Sequence, residues 1–182
     1  MLKLFLTNVV LETTDSDKHW YVVLTRTNSE RKVWDYFQLQ EVDTFLPVQN
    51  RVIEREGKRI ERERLLLPRM VFVHISRQEM AAVRSTLNVY DFLRDRSTVA
   101  PTCIPDAQMA DFRYMLDYSQ DQVILTGESI PKGTRVVVAK GDLQGLRGEL
   151  VRYNNKYHIL VRIDMFGSAM VTIPASYIRK EK

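Results

Sequence analysis

The hydrophobic pattern of the first 118 residues predicts strands and helices that alternate. Apolar and β-branched runs at 20–24, 65–73 and 89–93 predict strands, and the second of these is apolar enough for a fully buried one. A short strand is predicted at 45–47, where Pro47 ends it. Apolar residues recur at helical spacing in three segments, which predict helices over about 29–40, over 77–87 and from Pro105 to about 118. This order indicates an α+β fold with helices packed mainly on one face of a sheet.

Residues 51–64 interrupt this pattern with an almost unbroken run of charge. Six basic and four acidic residues surround Gly57, and the segment predicts a two-stranded arm. Two interpretations stay open. The arm is either a solvated hairpin whose charges pair with each other, or it lies beside a nucleic-acid backbone, which its excess of two positive charges favours.

The pattern changes to short strands from residue 130 onward. Strands are predicted at 135–139, 148–153, 157–163 and 169–173, and such a series in about fifty residues implies a small all-β barrel. Four glycines supply the positive-φ turns and sharp bends of that barrel: Gly133, Gly141, Gly145 and Gly148. The predicted organisation is an extra strand or tail at 1–17, a first domain at 18–118, a linker at 119–129 and the barrel at 130–182.

Charge separates the same two parts. Ten basic and four acidic residues lie between 132 and 182, a net charge of +6, so the rest of the chain carries −2 of the total of +4. The second part is therefore better suited to nucleic acid or an acidic partner. An ordinary solvated surface is the alternative.

Candidate chemistry is sparse along the chain. The single cysteine, Cys103, excludes an internal disulfide framework and a multi-cysteine metal site, and fits a reducing cytoplasm. The three histidines lie in separate predicted strands, and no phosphate-binding glycine motif opens a helix. We therefore expect no catalytic residue, metal or cofactor, and not an enzyme. The chain has no run of 18 apolar residues, so no transmembrane helix and no membrane partner are expected.

Two groups of residues resemble a known family. Residues 132–138 and 141–149, with Gly133, Gly141, Gly145 and Gly148, resemble the KOW motif, and 163–171 around Phe166 and Gly167 is similar to the end of that barrel. Residues 19–23, 41–47, 67–73 and 89–92 resemble the N-terminal domain of the NusG family. The resemblance covers about 18–180 in the right order. It implies an NGN domain, a mainly antiparallel sheet with flanking helices, followed by a small SH3-like KOW barrel.

The resemblance implies a non-catalytic, cytoplasmic and monomeric transcription factor. Members of the family place the NGN domain on the clamp helices of RNA polymerase and disfavour its paused state. The positions that match this contact are Leu24, Leu67, Pro68, Met70, Met109 and Phe112. Arg26 and Lys32 match positions near non-template DNA. The barrel of such proteins recruits a further factor, such as a ribosomal protein or Rho.

One departure from the family pattern refines the interpretation. The housekeeping factor has Pro-Gly-Tyr where this chain has Pro68, Arg69 and Met70, and arginine disfavours the positive φ that glycine takes easily. This resembles the specialised UpxY-type antiterminators of capsular polysaccharide operons in Bacteroidetes. The alternatives are a housekeeping NusG elongation and termination factor, and a KOW module that binds RNA or the ribosome.

Overall fold

The computed structural model describes residues 18–55, 57–164 and 166–181, so the predicted extension at 1–17 lies outside the described residues. The elements of the first half are β1 (His19–Thr25), α1 (Glu30–Leu39), β2 (Thr44–Phe45), β3 (Val48–Arg55), β4 (Lys58–Leu65), β5 (Met70–Ile75), α2 (Met80–Arg84), β6 (Val89–Phe92), β7 (Cys103–Ile104) and α3 (Asp106–Tyr118). Those that follow are β8 (Ile124–Thr126), β9 (Thr134–Val138), β10 (Arg147–Tyr153), β11 (Lys156–Ile163), β12 (Gly167–Thr172) and β13 (Ile178–Lys180), with a 3-10 turn at Ala175–Tyr177. The structure is therefore a mixed, sheet-rich fold with few helices.

The N-terminal sheet has the strand order β2-β5-β1-β6, and β7 also pairs with β1. Successive side chains of a strand point to opposite faces, so β1 divides its side chains between two cores. Tyr21 and Val23 pack with residues of α1 and α2. Trp20 and Val22 pack on the other face with α3. The helices thus cover both faces of the sheet, whereas the sequence predicted mainly one.

The C-terminal sheet comprises six antiparallel strands in the order β13-β9-β10-β11-β12-β8. Its edge strand β8 comes from the segment that the sequence predicted as a linker. Leu125 pairs with Ala169 of β12, and Val123 just before β8 is buried. The apolar residues of 119–129 are therefore used to extend this sheet.

The glycines of the C-terminal sheet act in two different ways. Gly141 and Gly145 have φ of +83° and +95°, as predicted for turns. Gly133 and Gly148 do not have positive φ. A Cβ on them would lie 2.3 Å and 2.6 Å from the carbonyl oxygens of Leu150 and Leu160, so they are needed for close approach of strands.

Two helix boundaries differ from the sequence prediction. The second helix is limited to Met80–Arg84, because Glu79 accepts the backbone N–H of Ser76 at its start and the Ser85 hydroxyl donates to the Ala82 carbonyl at its end. Pro105 is the N-cap of α3 rather than its first helical residue.

Candidate partner-binding face

Three separate segments bring the predicted polymerase contacts to one side of the N-terminal sheet. Leu24 pairs with Met70 across β1 and β5, and Phe72 follows on the same face. Leu67 and Met70 are half-buried and pack against the core that contains Met109 and Phe112 of α3. Pro68 lies exposed in the turn before β5. We call this set the candidate face: Leu24, Leu67, Pro68, Met70, Met109 and Phe112.

The two α3 members of the candidate face are core residues in this arrangement. Met109 and Phe112 are both 0% exposed. The ring of Phe112 lies 5.7 Å from that of Phe45 and 6.1 Å from that of Phe72. A partner can therefore contact them only after the groups that cover them have moved.

The C-terminal sheet supplies part of that cover. The ring of Phe166 lies 5.6 Å from the ring of Phe72. The backbone N–H of Asp164 donates to the side-chain oxygen of Gln108 at 2.9 Å, and the Tyr114 hydroxyl donates to the carbonyl of Gln144 at 2.9 Å. One hydrophobic core runs continuously from the N-terminal sheet through α3 into the C-terminal sheet. Phe166, in the segment that resembles the end of the KOW barrel, is thus occupied by a contact within the chain.

A charged cleft of about 590 Å³ adjoins this contact between α3 and the C-terminal sheet. Burial raises the pKa of the Asp111 carboxyl, and Arg147 opposes this shift. Arg162 donates two hydrogen bonds of 2.8 Å to Glu149, which also accepts the backbone N–H of Gly133. The hydrogen bonds from Arg162 hold the pKa of Glu149 below its ordinary value, although partial burial opposes them. The contact between the sheets therefore has a polar rim beside its aromatic centre.

Replacing Glu149 by glutamine is expected to lower the free energy of unfolding at pH 7 by about 1–2 kcal/mol, because charge-assisted hydrogen bonds are lost. The folded-state pKa of Glu149 is depressed, so its contribution is present above the unfolded pKa and is lost as pH falls through the folded value. Urea unfolding at pH 7 and in acid should therefore show a smaller acid loss in Glu149→Gln than in the wild type. The exposed Glu128→Gln is the control, and equal acid losses in wild type and Glu149→Gln would refute the expectation.

Arg69 keeps the conformation that arginine was expected to disfavour. Its φ is +65°, so the backbone adopts the left-handed conformation here despite the arginine side chain. The backbone N–H of Arg69 donates to the carboxylate of Glu30 at 2.7 Å, and its carbonyl accepts from the N–H of Thr25 at 2.9 Å. Glu30 is only 7% exposed. These two contacts hold the turn and offset the strain of the left-handed conformation.

Arg69→Gly is expected to be more stable than Arg69→Ala by about 0.5–1 kcal/mol. Both variants lose the arginine side chain. Glycine relieves the strain of the left-handed backbone in the folded state, and this gain is partly offset because glycine makes the unfolded chain more flexible. Urea denaturation of the two variants in parallel measures the difference. Equal midpoints would show that the turn is not strained at this position.

The two residues predicted near DNA are both exposed. Arg26 lies exposed after β1, and Lys32 lies exposed in the first turn of α1. Sequence reasoning missed Gln108 and Tyr114, which bond to the C-terminal sheet, and Glu30, which fixes Arg69. Polar residues at helix positions carry no signal of such long-range hydrogen bonds.

Among the described residues, no three potential metal ligands cluster. Within the same ranges, each helix is too short or too polar to span a membrane.

Comparisons with known proteins point to one family. The family described as "NusG: Transcription termination factor nusG" matches residues 18–113, which is more than half of the chain. The structure described as "Domain interaction in Thermotoga maritima NusG" is similar, with 19% identity, a TM-score of 0.49 and coverage of 92% of this chain and 99% of that one. The MjSpt4:Spt5 complex in conformation A matches with 14% identity, a TM-score of 0.27 and coverage of 90% and 98%. No curated protein was found to match.

Proposed function

Because the chain belongs to the NusG family of transcription factors, we propose that it binds RNA polymerase through the candidate face and suppresses pausing or termination. The observation that carries this proposal is the convergence of apolar residues from β1, the turn before β5 and α3 on one side of the N-terminal sheet. A few apolar anchors in such a cluster supply most of the affinity of a protein interface. The mechanism is non-catalytic and takes place in the cytoplasm.

Antitermination follows from differential binding. A factor that binds the elongating polymerase more tightly than the paused one shifts their ratio by the difference in affinity. The proposed contacts are the clamp helices for the candidate face and non-template DNA for Arg26 and Lys32. The N-terminal part would then be an NGN domain, and the C-terminal sheet a KOW barrel that recruits a ribosomal protein or Rho.

The closer assignment is a specialised antiterminator of the UpxY type in a polysaccharide operon. It is supported by Arg69 and Met70, which stand where the housekeeping factor has glycine and tyrosine. The housekeeping role is the second candidate. Transcription in vitro on a polysaccharide-operon leader and on an unrelated template separates the two, because a specialist acts only on the first.

Part of the candidate face is buried, so the proposed binding requires that part to become exposed to the polymerase first. Contact through Met109 and Phe112 requires the C-terminal sheet to move away from α3, since both side chains are fully buried. Leu67, Met70 and the exposed Pro68 would remain at the border of the contact. The apparent affinity is then the intrinsic affinity reduced by the fraction of molecules with an open face.

The test is Leu67→Asp in the full chain. Placing a carboxylate within the proposed contact should weaken binding to purified polymerase at least about tenfold and abolish run-through at a terminator. Leu39→Asp is the matched control, because Leu39 is 80% exposed on α1, outside the candidate face. Unchanged binding and run-through with a folded Leu67→Asp would refute the proposal. RNA binding that persists without any polymerase binding would favour the RNA-binding module instead, which the net charge of +6 between 132 and 182 supports.

A further inference from the structure

The charged arm is a two-stranded β-ribbon formed by β3 and β4, which pair only with each other in the described part of the chain. Its eight-pair ladder runs from Val48 opposite Leu65 to Arg55 opposite Lys58. The base is held on both sides. Glu63 pairs with Arg31 of α1, and the side chain of Gln49 hydrogen-bonds to the backbone of Asp121 and Val123. All residues from 58 to 64 are exposed, so the ribbon projects from a fixed base.

The register sorts the charges of the ribbon by face. Residues directly opposite each other share a face, and alternate residues of a strand share one too. On β4 one face carries Lys58, Arg62 and Arg64 around Ile60, and the ladder places no acidic residue opposite these three basic ones. The pairs on the other face contain three glutamates and one arginine: Asn50 with Glu63, Val52 with Glu61, and Glu54 with Arg59. The small net charge of the arm therefore conceals a basic face and an acidic face.

This arrangement differs from that of a hairpin stabilised by its own charges. Opposite charges across a strand pair are stabilising, and like charges directly opposite each other are destabilising. Glu54 stands opposite Arg59 in the favourable way, but no carboxylate stands opposite Lys58, Arg62 or Arg64. A mixed distribution would protect the strand edges and keep the arm soluble equally well. The absence of opposing carboxylates on the basic face favours an anion as its ligand.

The spacing of the basic face fits a phosphate backbone. Arg62 and Arg64 are two residues apart, which places them about 7 Å apart along the strand. Arginine binds phosphate through two parallel hydrogen bonds, and the major groove of B-form DNA admits a two-stranded ribbon. The major groove of double-stranded RNA is too deep and narrow for such an approach. We propose that the basic face of the ribbon, with Lys58, Arg62 and Arg64, binds the backbone of duplex DNA.

This binding is independent of the polymerase contact, and the two surfaces can be tested separately. The test uses the full chain and a fluorescein-labelled 30-base-pair DNA duplex, with anisotropy measured between about 50 and 200 mM salt. Arg62→Gln and Arg59→Gln form a matched pair, because they remove the same charge on opposite faces of β4. Arg62→Gln should weaken binding several-fold and make the slope of log K against log salt shallower by about 0.9. Arg59→Gln should leave both within experimental error.

A triple variant extends the measurement. Lys58→Gln, Arg62→Gln and Arg64→Gln together should make the salt slope shallower by about 2.7, if each contacts one phosphate. All four proteins are checked for folding by circular dichroism, and exposed polar substitutions should not change it. Equal losses for Arg59→Gln and Arg62→Gln would show an effect of net charge and overturn the proposal. Tighter, Arg62-dependent binding of a 30-nucleotide single strand would also overturn it, because the ligand would then not be duplex DNA.

Discussion

Replacing Phe72 by alanine is expected to lower the free energy of unfolding by about 3–5 kcal/mol. Phe72 is 0% exposed at the middle of β5, and its ring meets those of Phe45, Phe112 and Phe166 at 5.6–6.1 Å. Alanine would leave a cavity that three different elements border, and these elements cannot all close it without breaking their own contacts. The loss should appear as a lower urea midpoint with an unchanged slope.

Leu39→Ala is the control for this measurement. Leu39 is 80% exposed on α1, so truncating it should change the free energy of unfolding by less than about 0.5 kcal/mol. The expectation fails if Phe72→Ala loses no more stability than Leu39→Ala. Since the Phe72 ring touches both sheets, the variant should also loosen their contact, and hydrogen exchange would rise in β12 as well as in β5.

The elements that the sequence predicted well are those whose pattern is local. The run at 20–24 became β1, the helix expected at 29–40 became α1 at Glu30–Leu39, and the charged arm became β3 and β4. Alternation, helical spacing and a central glycine depend on neighbouring residues only. Even the two faces of the arm follow from its register, but a count of its charges could not show them.

The features that the sequence could not show depend on distant residues. Phe72, Phe112 and Phe166 are apolar whether a partner or the C-terminal sheet covers them, so their types do not reveal the cover. The left-handed Arg69 is held by Glu30, which is 39 residues away. The segment 119–129 is predicted as a linker because it is polar apart from three apolar residues, and three residues cannot show which strand edge they will pair with. In each case the outcome was decided by tertiary contacts, which override local preference.

Weakening the contact between the two sheets is expected to strengthen polymerase binding, if the candidate face is the binding site. Phe166→Ala removes the ring that lies on Phe72; because Phe166 is half-buried, its contact is worth less than the about 1.5–3 kcal/mol of a fully buried phenylalanine side chain. In the variant this free energy no longer holds the C-terminal sheet on the candidate face. The fraction of molecules whose candidate face is exposed therefore rises. Because each 1.4 kcal/mol is a factor of ten, the apparent Kd for polymerase should fall by about five- to tenfold, provided that the covered state predominates in the wild type.

Two further variants separate exposure of the face from other effects. Tyr114→Phe keeps the ring and removes only the hydrogen bond to the Gln144 carbonyl, so its gain should be smaller, about threefold. Tyr157→Ala truncates an exposed aromatic residue of β11 and should leave the affinity unchanged.

Titration of purified polymerase, with binding followed by interferometry, gives the apparent Kd of the three variants. If folded Phe166→Ala and Tyr114→Phe both bound no more tightly than Tyr157→Ala, the C-terminal sheet would not limit access to the site. The ranking Phe166→Ala, then Tyr114→Phe, then Tyr157→Ala would instead mean that the polymerase and the C-terminal sheet compete for one apolar surface on α3 and β5.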